Sequence, residues 1–110
     1  QQTKIIKDLR LRLLESYMLH WPLVSSEYQH DLLPSLLRDQ FPELRAFGIE
    51  RVAVLLRDGE ATEEELQFVV NHLRDLSPTV RLAAAQLLPE INIERLLQTR
   101  VPNPAVSGSE

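Results

Sequence analysis

The sequence predicts an all-α protein, an α-solenoid of stacked antiparallel helix pairs with about two and a half repeats. Three observations predict it. A segment recurs at a spacing of 36 residues, helix-boundary residues flank equivalent positions in each copy, and apolar residues recur at three- and four-residue intervals. With 44% hydrophobic residues and only three Gly in 110 residues, the composition also suits long helices better than a turn-rich sheet protein.

The repeat is clearest between residues 31–45 and residues 67–81. Five residues are identical at this offset: Leu37 and Leu73, Arg38 and Arg74, Asp39 and Asp75, Pro42 and Pro78, and Arg45 and Arg81. A fainter copy lies upstream at an offset of 35, where residues 8–10 align with residues 43–45. One helix pair cannot bury its own apolar stripe, so we expect the stacked pairs to share one continuous core.

Capping signatures mark the start of the first helix in two pairs. Ser26 is followed three residues later by Gln29, and Thr62 is followed at the same spacing by Glu65. In a capping box the first hydroxyl accepts from the N–H of the third helical residue, whose side chain bonds the N–H of the capping residue. Both segments are therefore predicted to begin helices.

Proline and glycine residues mark further helix boundaries. Pro42 and Pro78 suit the first helical position, where a missing N–H costs no hydrogen bond. Gly59 accepts the left-handed geometry that ends a helix, and Pro34 predicts either a kink or a later start near Asp31. Together these signals predict helices near residues 4–20, 26–39, 42–57, 62–75 and 78–88.

The chain is interpreted as one helical repeat domain over residues 1–100 and a disordered linker or tail over residues 101–110, which are rich in Pro, Ser and Gly. Asn92 is expected to cap a short final helix over 93–100. Because the sequence begins with Gln1 rather than Met, we expect a fragment of a larger protein. No signal peptide or membrane-spanning run is recognisable. The compartment is unknown, with the cytoplasm slightly favoured.

The repeated pattern resembles the HEAT repeat family and its variant, the PBS-lyase HEAT-like repeats. It reads leucine, one residue, Asp, two residues, Pro, one residue, an aliphatic residue and Arg, at residues 37–45 and again at 73–81. The resemblance covers about residues 4–90, although the first copy lacks the Asp and the Pro. It implies that the helices over 26–39 and 62–75 are outer ones, and that the other three line a concave side.

Four charged residues of the repeat have a structural role by this resemblance. In the family the Asp of the turn and the Arg of the inner helix form a ladder of hydrogen bonds between stacked repeats. The ladder residues here would be Asp39, Arg45, Asp75 and Arg81. Paired acid and base residues also occur in catalytic sites, but we favour the structural interpretation, in which losing one partner costs about 1–3 kcal/mol.

An acidic stripe is predicted on the concave side, because aligned positions seven residues apart share one face of each inner helix. The candidate partner-binding residues are Asp8, Glu15, Glu43, Glu50, Gln86 and Glu90. One interpretation is a solvated face without a further role. The other is a docking groove for a basic peptide or a partner helix.

No catalytic, cofactor-binding or metal-binding site is predicted. His20, His30 and His72 lack the spacing of metal ligands and are interpreted as ordinary surface or boundary residues. There are no cysteines, which excludes thiolate sites and disulfides. Trp21 is expected to pack at a turn, with an exposed partner contact as the alternative.

The sequence therefore predicts a non-catalytic protein-interaction or scaffolding module. Alternatives are a nucleic-acid-binding HEAT-like domain, an enzyme accessory role like that of the bilin lyase relatives, and a purely structural spacer. The net charge of −4 disfavours nucleic acid, since phosphates attract a basic surface. The two ends lack polar caps, which predicts a homodimer through the uncapped solenoid ends. The exposed leucines would be Leu9, Leu13, Leu14, Leu96 and Leu97.

Overall fold

The computed structural model describes residues 2–91, and within that range the protein contains five α-helices, three short 3-10 turns and no strand. The helices are α1 Gln2–His20, α2 Ser26–Leu37, α3 Pro42–Arg57, α4 Glu63–Asn71 and α5 Pro78–Leu87. The 3-10 turns are Trp21–Leu23, His72–Arg74 and Leu88–Glu90. The all-α class is confirmed. The predictions for Asn92, the helix over 93–100 and the tail over 101–110 lie outside the described residues.

The capping box of α4 is confirmed, whereas that of α2 is wrong. The Thr62 hydroxyl accepts from the Glu65 N–H at 3.1 Å, and Glu65 Oε1 accepts from the Thr62 N–H at 2.9 Å. At α2 the capping residue is Ser25, one position earlier than predicted. The side-chain amide of Gln29 instead donates to the carbonyls that precede the helix, at 3.3 Å and 2.9 Å. The Gln29 amide is therefore held by the carbonyls of Trp21 and Val24, in the loop before α2, and does not bond the capping residue.

The proline and glycine boundaries follow their stereochemistry. Pro42 and Pro78 are the first residues of α3 and α5. Pro34 lies inside α2, which continues through it, so the later start near Asp31 is not observed. After α3, Gly59 has a φ of +75°, which permits two main-chain hydrogen bonds that close the helix end.

Helix α3 lies at the centre of the described chain, because it contacts each of the other four α-helices. Its buried residues pack against apolar side chains of α2 and α5, and the indole of Trp21 lies edge-on to Phe47 with ring centroids 5.5 Å apart. Trp21 is only 4% exposed, so it is a core residue and not an exposed contact. The fully buried side chains are Leu33, Leu36, Leu37, Leu44, Ile49, Val52, Val69 and Val80.

Helix α1 is the least covered element. None of its residues is buried, and only Leu14 and Tyr17 pack partly against the core. Within residues 2–91 no helix is both long and apolar enough to span a membrane.

Candidate functional site

Arg45 on α3 and Asp75, in the turn before α5, form a bidentate ion pair. Arg45 Nε donates to Asp75 Oδ2 at 2.7 Å, and its Nη2 donates to Oδ1 at 2.8 Å. The remaining nitrogen, Nη1, donates to the main-chain carbonyl of Asp39 at 2.8 Å. Only 14% of the Arg45 side chain and 7% of the Asp75 side chain are exposed. Because charge-assisted bidentate bonds fix orientation, the pair holds α3 against the turn that leads into α5.

The pKa of Asp75 lies below its usual value. The largest cause is the hydrogen bond from Arg45, which stabilises the carboxylate; burial acts in the opposite direction. The Ser77 N–H, which donates to Asp75 Oδ1 at 2.9 Å, also lowers the pKa. The carboxylate is therefore ionised at neutral pH and serves as an acceptor between helices.

Asp39 and Arg81, the other two ladder residues, bond through main-chain atoms. Asp39 Oδ1 accepts from the Phe41 N–H at 2.9 Å, which repeats the bond between Asp75 and Ser77. Arg81 Nη1 donates to the Asp75 carbonyl at 2.6 Å, as Arg45 does to the Asp39 carbonyl. The two units therefore share one turn geometry.

The ladder does not extend to α1. Arg10, which aligns with Arg45, lies over the ring of Phe41 at 5.2 Å and places Nη2 at 3.8 Å from Glu43 Oε2. In the described part of the chain, the side chain of Asp39 has no arginine partner. The four ladder residues thus include one side-chain ion pair, between Arg45 and Asp75.

A second buried polar link joins α2 to α4. His30 Nδ1 lies 2.6 Å from Glu65 Oε2, and the Glu65 side chain is 5% exposed. Its other oxygen caps α4, so both carboxylate oxygens are used. The capping signature predicted one of these two bonds. The His30 contact was missed, because a pairing between residues 35 positions apart has no local sequence signal.

The remaining histidines bond main-chain carbonyls. His72 Nδ1 lies 2.6 Å from the Phe68 oxygen, and Nε2 lies 2.6 Å from the Leu37 oxygen. His20 Nδ1 lies 2.9 Å from the Ser16 oxygen. Among residues 2–91 no group of His, Cys, Asp and Glu side chains is arranged to hold a metal ion.

A groove of about 260 Å³ between α3 and α5 contains three of the six predicted stripe residues. Glu50 lines it from α3, Gln86 from α5, and Glu90 from the 3-10 turn that follows. Ala53 and Ala83 also line the groove, and their small side chains leave the space open. We refer to this feature as the α3–α5 groove.

The other three stripe residues lie outside this groove. Glu43 is close to Arg10, and Asp8 and Glu15 are exposed on α1. Three of the six predicted stripe residues therefore line the α3–α5 groove, and the other three lie outside it on α1 and α3.

Arginine residues reduce the acidity of the α3–α5 groove. Arg57 Nε lies 3.4 Å from Glu90 Oε1, and Arg51 also lines the groove. Glu50 is exposed and, within residues 2–91, forms no ion pair. The groove thus offers one free carboxylate, one paired carboxylate and one amide. Sequence reasoning did not place the two arginines here, because their direction depends on how α5 packs on α3.

Four buried side-chain atoms lack a hydrogen-bond partner in the described chain. They are Arg10 Nε, Glu43 Oε1, Arg51 Nε and Gln67 Oε1. Arg51 lines the α3–α5 groove itself. The Nε atom of Arg51 is itself buried, so it is not exposed to a chain bound in the groove.

Comparison with known proteins yields no match: no family model fits the chain, and no curated protein or solved structure is significantly similar to it. The resemblance to HEAT repeats stays a prediction from the residues quoted above.

Proposed function

We propose that this protein is a non-catalytic protein-interaction or scaffolding module, built as a HEAT-like α-solenoid, whose α3–α5 groove binds a partner peptide or helix through a basic residue opposite Glu50. The observation that carries the proposal is the groove itself, in which exposed Glu50 and Gln86 stand beside the Arg57–Glu90 pair.

The packing of the helices supports the solenoid arrangement. Consecutive inner helices are neighbours, since α3 contacts both α1 and α5, and the outer helices α2 and α4 also touch. The Arg45–Asp75 pair joins one unit to the next at positions that repeat in sequence. Solenoids expose long concave surfaces, which commonly bind extended partners.

The use of the buried ionisable groups supports a non-catalytic role. Each of three ionisable side chains forms a hydrogen bond with a group on another helix or turn of the same protein: Asp75, Glu65 and His72. Catalytic acids and bases need an open position beside the substrate. These three side chains serve instead to connect the repeat units.

A chain in the groove would find both charge and hydrogen-bonding groups. A lysine or arginine would pair with Glu50, and main-chain groups would bond the side-chain amide of Gln86. The groove has as many carboxylates (Glu50 and Glu90) as guanidinium groups (Arg51 and Arg57), so it lacks the excess of positive charge that binds phosphates, which disfavours nucleic acid there.

The test is affinity capture from a nuclease-treated lysate of the source organism, with three baits. The groove variant carries Glu50→Lys and Glu90→Lys. The control carries Asp31→Lys and Glu60→Lys on other exposed positions. Both double variants change the net charge from −4 to 0, because each substitution replaces −1 by +1. Circular dichroism first establishes that all three baits are equally helical.

A protein retained by the native bait and the control, but lost from the groove variant, supports the proposal. Its affinity for the purified bait should fall at least tenfold with the groove variant. If no protein is retained, or both variants behave alike, the groove is solvated surface and the module is a spacer. Capture that disappears on nuclease treatment would indicate nucleic acid and would also overturn the proposal.

A further inference from the structure

Arg81 on α5 makes the same kind of main-chain hydrogen bond as Arg45 on α3. Its Nη1 donates to the Asp75 carbonyl, as Nη1 of Arg45 donates to the Asp39 carbonyl. Arg45 also uses Nε and Nη2 to bind the carboxylate of Asp75. Within residues 2–91 the Nε and Nη2 atoms of Arg81 bond no carboxylate. Two guanidinium nitrogens of Arg81 are therefore free in an arrangement that, on α3, holds an aspartate.

The surface of α5 around Arg81 is exposed, although the aligned surface of α3 is covered. Helices α4 and α5 pack on α3, where the side chain of Arg45 is 14% exposed and Ala46 and Ile49 are 8% and 1% exposed. The aligned residues of α5 are all exposed, with Leu82 at 59%. They are Arg81, Leu82 and Ala85, called here the α5 face.

The α5 face combines a carboxylate-binding group with apolar surface. Arg81 and Ala85 are four residues apart and Leu82 and Ala85 are three apart, so the three side chains lie on one side of the helix. A planar guanidinium binds a carboxylate through two parallel hydrogen bonds. On α3 the same combination is covered by the helix pair α4 and α5, with Asp75 in the turn between them. The contact on α3 therefore indicates what kind of partner the α5 face accepts.

The residues that follow in the chain do not repeat the sequence of this helix pair. At the offset of 36 residues, positions 98–110 align with positions 62–74, and only Val106 and Val70 are identical. A second copy of the chain does not offer a free aspartate at the equivalent of Asp75 either, because that carboxylate is already bonded to Arg45 of its own chain. The carboxylate for Arg81 must come from another protein.

We propose that the α5 face binds a helix pair of a partner protein that presents an aspartate in the turn between its helices. The carboxylate bonds Nε and Nη2 of Arg81 as Asp75 bonds Arg45, and apolar side chains of the pair cover Leu82 and Ala85. The α3–α5 groove is lined by other residues of α5, so this proposal does not depend on the function proposed for that groove.

The probe for the test is a synthetic peptide of residues 62–91, because this helix pair already occupies the aligned surface of α3. Arg81→Glu in the peptide prevents a second peptide from adding to the first. A control peptide also carries Asp75→Ala. NMR shifts of backbone amides in the labelled full chain, recorded at rising peptide concentrations, give both the affinity and the location.

We expect the first peptide to bind and to shift the amides of Leu82 and Ala85. The control peptide should bind about tenfold more weakly, because it lacks the charge-assisted bonds to Arg81.

Variants of the protein identify the contact. Arg81→Ala should weaken binding by the same factor, and the control peptide should then bind no more weakly still, since one pair accounts for both losses. Arg12→Ala, which removes the same charge from an exposed position on α1, should leave the affinity unchanged. Leu82→Glu should also weaken binding, whereas Leu23→Glu, at a position that is 82% exposed, should not.

The two double variants designed for the α3–α5 groove separate the two proposals. Glu50→Lys with Glu90→Lys and Asp31→Lys with Glu60→Lys have equal net charge, so they should bind the peptide equally. A partner lost only from the first of them concerns the groove and leaves the α5 face unaffected.

Three outcomes would overturn the proposal. In the first, the peptide does not bind, or binds Arg81→Ala as well as the native protein. In the second, the losses from Asp75→Ala in the peptide and Arg81→Ala in the protein simply add, which would show that the two side chains do not meet. In the third, sedimentation shows a dimer of the native protein that Arg81→Ala dissociates, and the occupant is then a second copy of this chain.

Discussion

Replacing Asp75 by alanine tests how strongly its ion pair with Arg45 stabilises the protein. The substitution removes three hydrogen bonds accepted by the carboxylate, two from Arg45 and one from the Ser77 N–H. It also leaves the Arg45 guanidinium largely buried, with one remaining bond to the carbonyl of Asp39. A stranded charge is therefore the main cost.

The expected loss in the free energy of unfolding is about 3 kcal/mol. Removing one partner of a buried ion pair costs about 3–5 kcal/mol. The lower end applies, because Arg45 retains its bond to Asp39 and 14% of its side chain reaches water. For a domain of this size the loss lowers the melting temperature by about 12–24 °C. Asp75→Asn keeps the shape but strands the same Arg45 charge and turns an amide NH2 donor toward one guanidinium N–H, so it should cost nearly as much as Asp75→Ala.

Urea unfolding followed by far-UV circular dichroism measures these differences. Asp31→Ala serves as the matched control, since Asp31 is an exposed acid on α2, and should change stability by less than about 0.5 kcal/mol. If Asp75→Ala costs no more than Asp31→Ala, the ion pair contributes nothing to stability, and the argument that it holds α3 against the turn before α5 is refuted.

Three further predictions concern stability. Because the pKa of Asp75 is lowered in the folded protein, its contribution to the free energy of unfolding is present above about pH 4 and is lost as the pH falls through the folded-state pKa. The difference in stability between wild type and Asp75→Asn should therefore narrow in acid titrations, and a constant difference would contradict this. Gly59→Ala should cost about 1 kcal/mol in urea unfolding, since φ at this position is +75°, and an unchanged midpoint would exclude strain there. His30→Ala should lower the free energy of unfolding by about 1–2 kcal/mol, because it removes the partner of buried Glu65. The surface control His20→Ala should lower it by less than about 0.5 kcal/mol, and equal effects would show that the His30 contact is not stabilising.

Local stereochemistry explains why the helix boundaries could be predicted. Pro42 and Pro78 begin helices because proline lacks the N–H that a first helical residue does not need. Thr62 and Glu65 complete a capping box within four residues of chain. The predicted start of α2 at residue 26 is the observed one, but its capping residue was misplaced by one position, because Ser25 and Ser26 are chemically equivalent candidates and only the folded loop selects between them.

The candidate sites were predictable only in part. Aligned positions on α3 and α5 placed Glu50 and Gln86 near each other, since equal helical spacing gives equal faces. The arginines that reduce the acidity of the α3–α5 groove were not anticipated. A long side chain such as Arg57 can form an ion pair with any of several acids, and the distances between helices determine which one it pairs with.

The sequence by itself determined that the chain is helical, where most helices begin and end, and which residues are equivalent between copies. These properties depend on interactions over a few residues, so they are readable from the order of side chains. The tertiary structure decided that, of the four ladder residues, only Arg45 and Asp75 form a side-chain ion pair in the described chain, that His30 reaches Glu65, and that Leu9 is exposed while its equivalents are buried. Each of these depends on what lies across a helix–helix contact, and such contacts join residues that are distant in the chain.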